Sequence, residues 1–210
     1  DYLMQVDLGI MMPGAIPTDL EYASMQDVLR KNKGRTIHFH WSGAYDLSGE
    51  VIEIDNIKSE YYQKVLLETD YICLGKIQRS FEAAIRKNWV FITTPSGTNI
   101  KFKIGNRPVN KQDGNASSKR EPPLNLIDRE IELPSGAIRV APIEDTVEGS
   151  IAFPNSIWNG KKVEELVLTF IAGKVVKIES TIGKDAVKRE LDSAGETGYS
   201  FREFALGFNP

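Results

Sequence analysis

The sequence contains little of what builds disulfide frameworks, zinc clusters or membrane spans. It has one cysteine, Cys73, and two histidines, His38 and His40, which excludes an internal disulfide and a cysteine-rich zinc cluster. A lone cysteine fits a reducing compartment, so we expect a cytoplasmic protein. No apolar run approaches the roughly 18 residues that a transmembrane helix needs, so we expect no membrane partner.

The sequence also lacks a strong charge of one sign and a targeting segment. The formal net charge is -3 with 26% charged residues, a balance that does not favour nucleic acid as a partner. The first residues have no basic region and no small-residue cleavage site, so we expect that they are not a signal peptide. They include no initiator Met, and both ends lie on strand-like runs, so we expect the 210 residues to be cut from a longer chain.

The first 88 residues mix helical and strand-like patterns. Alternation predicts strands over 3–8 and 35–41, and Thr18 or Asp19 can cap a helix that continues to residue 32. Apolar residues spaced by three and four predict a long helix over 59–88, which Gly75 could split or weaken. The members of this apolar face are Leu74, Ile77, Phe81 and Ile85.

From residue 89 the pattern becomes β-rich. Two hairpins are predicted, one around "PSGT" and one around "IAGK", where Gly173 is free to adopt positive φ. The polar stretch 106–123 reads as a loop and a functional surface. Further strands are predicted near 127–132, 137–141, 149–153 and 202–207, and a helix over 183–195. We therefore predict an α/β N-terminal part, 1–88, followed by a mainly antiparallel β part, 89–210, which is α+β overall.

Two features with metal or nucleophile chemistry have equally good structural explanations. His38 and His40 would project from one strand face, close enough to share a metal, but no third ligand stands at a recognisable spacing. We interpret them as polar positions on a half-buried strand, and a mononuclear site is the alternative. Cys73 is interpreted as a small buried hydrophobe rather than a nucleophile. The stretch "GEVIEID" is interpreted as a strand with outward acids.

Carboxylates gather in the second part. Glu144, Asp145 and Glu148 follow a buried strand, where they are either metal ligands or a solvated turn. Glu203 lies in "FREFALG" among apolar residues, and a lone buried carboxylate is costly unless it is paired or binds a cation. The neighbouring Arg202 could provide that pairing.

An ordered set of motifs over about residues 65–210 resembles the aminopeptidase T and aminopeptidase S metallopeptidases. The motifs are "LPSGAIRVAPIEDTVEG", the hairpin "VEELVLTFIAGKVVKIES" and "FREFALGFNP". "ITTPSGTNIKF" resembles a short branch of that family. The resemblance implies a homodimeric hydrolase that removes N-terminal residues from peptides with two adjacent divalent ions, which would be zinc, cobalt or manganese.

The resemblance also implies where the metal ligands lie. One bridging glutamate falls at Ala137, which cannot bind a metal, and the other falls at Glu203. Glu144 or Asp145 could supply a displaced carboxylate, and two histidines and an aspartate would follow Pro210. We therefore expect an incomplete dinuclear centre, or no metal, in these 210 residues. The alternative function is a non-catalytic binding or structural protein on the same scaffold.

Overall fold

The structure, a computed structural model, describes residues 5–11, 18–30, 34–39, 56–115 and 130–209. The helices in these ranges are α1 (Asp19–Arg30), α2 (Asn56–Glu68), α3 (Tyr71–Ile85) and α4 (Lys184–Ser193), with short 3-10 helices at Glu144–Thr146 and Gly195–Tyr199. The first strands are β1 (Leu8–Met11), β2 (Arg35–Phe39), β3 (Val90–Thr93), β4 (Asn99–Phe102), β5 (Val109–Lys111), β6 (Glu130–Leu133) and β7 (Ala137–Val140). The later strands are β8 (Glu148–Ala152), β9 (Ser156–Trp158), β10 (Lys161–Val163), β11 (Val167–Ile171), β12 (Lys174–Glu179) and β13 (Phe204–Gly207).

A small parallel sheet forms the N-terminal part. Its strand order is β1-β2-β6, so a strand from the second part of the sequence completes it. Helix α1 contacts β1 and β2. It begins with the capping arrangement that the sequence predicts, because the Thr18 hydroxyl accepts a hydrogen bond from the Glu21 N–H at 3.3 Å, and the Glu21 carboxylate accepts one from the Thr18 N–H at 2.8 Å.

The second part is built from antiparallel sheets. A five-stranded sheet has the order β12-β11-β8-β4-β3, a three-stranded sheet has the order β13-β7-β5, and β9 pairs with β10. Both predicted hairpins are present, as β3–β4 and β11–β12, and Gly173 has a φ of +73°. The α+β class predicted from the sequence is therefore confirmed.

One hydrophobic core joins the antiparallel sheets to α3 and α4. Side chains at its centre are less than 3% exposed, because alternate residues of each strand face inwards. These central residues include Ile100, Phe102, Ile104, Ile138, Val147, Val163 and Leu166. Phe204 packs on this core with its ring centroid 5.3 Å from that of Phe102, which fixes the position of β13 against β7.

Two predicted boundaries are wrong. The first strand is predicted over 3–8 but β1 begins at Leu8, because its partner strand β2 starts at Arg35 and pairs there with Leu8. The long predicted helix is two helices that break at Thr69 and Asp70. The Asp70 carboxylate caps α3 by accepting from the Cys73 N–H at 2.9 Å.

Gly75 does not break the helix. It is buried inside α3, where a methyl group would come within 3.4 Å of the Asp113 carboxylate and 3.2 Å of the Arg79 guanidinium. The contact with Asp113 would be an ordinary one, and the Arg79 guanidinium is the end of a flexible side chain, so glycine is not required at this position. The division of the chain at residue 88 stays a prediction. No helix in the described ranges is long and apolar enough to cross a membrane.

Candidate functional site

The antiparallel pairing of β7 with β13 places the two sequence positions that the peptidase resemblance singles out. Ala137 pairs with Gly207 and Val140 pairs with Phe204, so Glu203 lies one residue beyond the end of the ladder. Ala137, Arg139 and Glu203 therefore belong to one face of the strand pair, by alternation. At about 3.3 Å per residue, Ala137 and Glu203 are roughly 13 Å apart along the strands.

Glu203 is exposed, which corrects the expectation that its environment is apolar and costly for a carboxylate. The reason is the strand boundary: β13 begins only at Phe204, and the ring of Phe204 turns to the core while Glu203 stays outside. Arg202 is exposed as well, and the negative charge of Glu203 helps to raise the pKa of Arg139.

The acids that follow β7 lie on a turn at the surface. Glu144 and Asp145 are exposed in a 3-10 helix that closes with a hydrogen bond from the Thr146 N–H to the Ile143 carbonyl at 3.0 Å. Glu148 pairs instead with Lys101, with Oε2 3.0 Å from Nζ. Glu144 and Glu203 nevertheless both lie beyond the same end of the β7–β13 ladder, because Val140 and Phe204 form the last pair at that end.

Gly173 holds these two segments together. Its amide carbonyl accepts from the Phe201 N–H at 2.8 Å, and a methyl group on Gly173 would lie only 2.4 Å from the Glu144 carbonyl oxygen. The positive φ at Gly173 is thus required both by the turn and by this close approach.

His38 contributes to a separate polar contact in the parallel sheet. It is 8% exposed on β2, and its Nε2 atom lies 3.1 Å from Oε1 of Glu130 on β6. The companion histidine in the sequence prediction, His40, lies outside the described residues. The stretch 49–55 and the end of the predicted polar loop, 116–123, lie outside them too. The loop prediction is wrong at its start, because β5 lies within 106–123 and pairs with β7.

Arg139 links the parallel sheet to the three-stranded antiparallel sheet. Its Nη1 and Nη2 atoms donate to the two carboxylate oxygens of Glu132 in a forked pair. Burial alone would lower the pKa of Arg139. The hydrogen bonds and charge of Glu132, with attraction from Glu203 and Glu130, raise that pKa above the usual arginine value.

Gln112 fixes β6 in the position that this ionic contact needs. Its side chain is 1% exposed; Nε2 donates to the Glu130 carbonyl at 2.9 Å, and Oε1 accepts from the Glu132 N–H at 3.0 Å. A peptide group of a neighbouring parallel strand would make the same two bonds. The Gln78 side chain, also fully buried, donates to the Gln112 carbonyl at 3.0 Å.

Several residues of this region are not among the candidate site residues predicted from the sequence. Glu130 and Glu132 alternate with Ile131 and Leu133, so their pattern indicates one polar strand face, but not its partner. Arg139 shows no local signal at all. The interpretation of Cys73 as buried is wrong, since it is exposed on the first turn of α3.

The described residues do not form a metal centre by themselves. No group of three or more His, Cys, Asp and Glu side chains within them is placed to hold an ion. Glu132 is occupied by Arg139, Glu130 lies against His38, and the Ala137 position has no ligand atom. The exposed carboxylates of Glu203 and Glu144 are too few for the ligand sets that divalent ions require.

Comparison with known proteins identifies related folds. The structure of 2,5-dihydroxypyridine dioxygenase from Pseudomonas putida KT2440 matches with a TM-score of 0.62 and 15% identity, over 98% of this chain and 52% of that one. Wild-type AmpT from Thermus thermophilus matches with a TM-score of 0.56 and 15% identity, over 95% of this chain and 54% of that one. The chain thus spans about half the length of both structures. No curated protein sequence matches it.

A family model matches the sequence directly. The model of the thermophilic metalloprotease (M29) family covers residues 94–210, which include β7, β13, the Ala137 position and Glu203. The resemblance to aminopeptidases T and S is thereby confirmed, and a divalent metal cofactor is a property of the family. The chain belongs to the thermophilic metalloprotease (M29) family, whose model matches residues 94–210.

Proposed function

We propose that the protein is a metal-dependent aminopeptidase that hydrolyses N-terminal residues from peptides. The observation that carries this proposal is the family match over residues 94–210, which spans the whole β7–β13 ladder. The similar fold of AmpT supports it. The peptide substrate, a homodimer and a cytoplasmic location belong to the same proposal, and the exposed, unpaired thiol of Cys73 is compatible with a reducing compartment.

Within this proposal Glu203 is a metal ligand, and Glu144 is a second carboxylate at the same end of the ladder. Both are exposed, and the contacts of Gly173 with Glu144 and Phe201 keep their segments together. The ligand set of the described residues is incomplete, so a working centre would require donors outside them. We assign no bond-breaking step to the described residues.

The proposal is tested with Glu203→Gln in the full-length protein. Release of the N-terminal residue from short peptides is measured before and after chelation, and again after addition of Zn²⁺, Co²⁺ or Mn²⁺. We expect chelation to abolish hydrolysis and metal to restore it. We expect Glu203→Gln to weaken metal binding by about tenfold or more, as loss of a ligand does more harm than loss of an outer-shell partner.

Glu196→Gln provides the matched control, because Glu196 is an exposed acid on the 3-10 helix shortly before Glu203. It should leave metal binding and hydrolysis unchanged. Hydrolysis that is insensitive to chelation, or equal metal affinity of Glu203→Gln and the unmodified protein, would contradict the proposal. Metal binding without any hydrolysis would support a binding protein instead.

A further inference from the structure

A single guanidinium, that of Arg139, contacts Glu132 where the parallel sheet meets the three-stranded antiparallel sheet, and two further carboxylates act on its charge. Glu132 receives both terminal nitrogens of Arg139, and the two side chains are 12% and 31% exposed. Glu203 and Glu130 also attract the charge of Arg139. The cluster therefore carries one fixed positive charge against three negative ones.

His38 and Thr36 complete the polar surface of this cluster. The parallel register sets Thr36 beside Glu130 and His38 beside Glu132, and the His38 imidazole lies 3.1 Å from Glu130. The Thr36 hydroxyl oxygen is fully buried and has no hydrogen-bond partner among the described residues. Carboxylate oxygens, an imidazole nitrogen and a hydroxyl oxygen are the donor types that divalent cations select.

We infer that Arg139 takes the place of a divalent cation in this cluster, and that it closes Glu132 and Glu130 to metal. Half-buried carboxylates at one position need a nearby positive charge. The guanidinium provides it and uses both oxygens of Glu132, so an ion could reach Glu132 only by displacing Arg139. On this face of the chain, Glu203 is the carboxylate of the cluster that stays exposed.

The inference goes beyond the proposed function, because it concerns which carboxylates are closed to cations and makes no claim about hydrolysis. A chain with a metal at Glu132 would need a neutral residue at position 139.

The test compares the Zn²⁺ affinity of the full-length protein with that of five variants, by competition with a chromophoric chelator. Arg139→Met keeps the length of the side chain and removes its charge. We expect it to gain one Zn²⁺ site that is about tenfold or more tighter than any additional site of the unmodified protein. Arg139→Lys keeps a positive charge and should gain none, and Arg139→Met with Glu132→Gln should lose the gain.

Arg202→Met is the control for a general loss of positive charge, since Arg202 is exposed beside Glu203, and it should gain no site. If Arg139→Met unfolds without metal, added Zn²⁺ should restore its thermal transition, which supports the inference equally. A folded Arg139→Met that binds no more Zn²⁺ than the unmodified protein overturns it. The inference is also overturned if Glu132→Gln, introduced alone, abolishes tight Zn²⁺ binding, because Glu132 would then be a ligand in the unmodified protein.

These outcomes separate the inference from the proposed function. Absence of peptide hydrolysis in the unmodified protein, combined with a gained site in Arg139→Met, would reject only the aminopeptidase proposal. Chelator-sensitive hydrolysis, combined with no gained site in a folded Arg139→Met, would reject only the role of Arg139.

Discussion

Replacing Gln112 by Leu should destabilise the protein strongly, because this side chain makes the two hydrogen bonds to β6 that a peptide unit of a neighbouring strand would make. Gln112→Leu keeps a similar volume but removes the bonds to the Glu130 carbonyl and the Glu132 N–H. It also removes the bond from Nε2 to the Asn110 side chain at 3.1 Å. At 1% exposure, no water can replace these partners without a change of structure.

The magnitude follows from the two backbone groups that lose their partners. A buried group left without a hydrogen bond costs about 1–3 kcal/mol. Two such groups on β6, reduced by the apolar gain of leucine, predict a loss of about 2–4 kcal/mol in the free energy of unfolding. For a chain of this length that corresponds to a decrease of roughly 5–15 °C in the melting temperature.

Urea unfolding followed by tryptophan fluorescence measures this loss. Gln63→Leu is the matched control, since Gln63 is exposed on α2 and its replacement should change stability by less than about 0.5 kcal/mol. A Gln112→Leu protein as stable as this control, with the same dependence on urea concentration, would show that the side chain does not hold β6 in place.

Two further perturbations test other parts of the fold. Burial would raise the pKa of Glu82, but its hydrogen bonds and charge interactions with Lys111 and Arg86 lower that pKa below 4.5. Glu82 therefore stabilises the folded protein above pH 4.5, and this contribution is lost as the pH falls through the lowered pKa. Glu82→Gln should thus be less stable than the unmodified protein at pH 7, with a difference that shrinks in acid; a difference independent of pH in urea titrations would contradict this assignment. Gly149→Ala should cost more than about 1 kcal/mol, because φ is +124° and the new methyl group would lie 2.2 Å from the Asn99 carbonyl oxygen. Gly207→Ala has open space and should be nearly neutral in the same thermal melts, so equal losses at both glycines would refute the steric argument.

Local patterns in the sequence predicted most of the elements correctly. The hairpins β3–β4 and β11–β12 follow from alternation on either side of short turns with glycine. The start of α1 follows from the side chain of Thr18, whose hydrogen bonds involve residues three positions away. Such features need only neighbours in the chain, so they can be read without knowledge of the fold.

The tertiary structure alone decided how distant segments meet. Strand β6 joins β2 from the first part of the chain, although the two are separated by about ninety residues of sequence, and the register of that pair sets His38 beside Glu132. The contact of Arg139 with Glu132 also depends on the conformation of the short connection between β6 and β7. No periodicity encodes either relation.

The candidate site shows the same division. The family, the alanine at position 137 and the carboxylate at position 203 follow from residue identity, so they could be predicted without a structure. The exposure of Glu203, and the contacts of Glu130 with His38 and of Glu132 with Arg139, become visible only in the folded protein. The physical reason is that exposure and charge pairing depend on where strands end and on which side chains from remote strands share a face, and neither is encoded by neighbours in the chain.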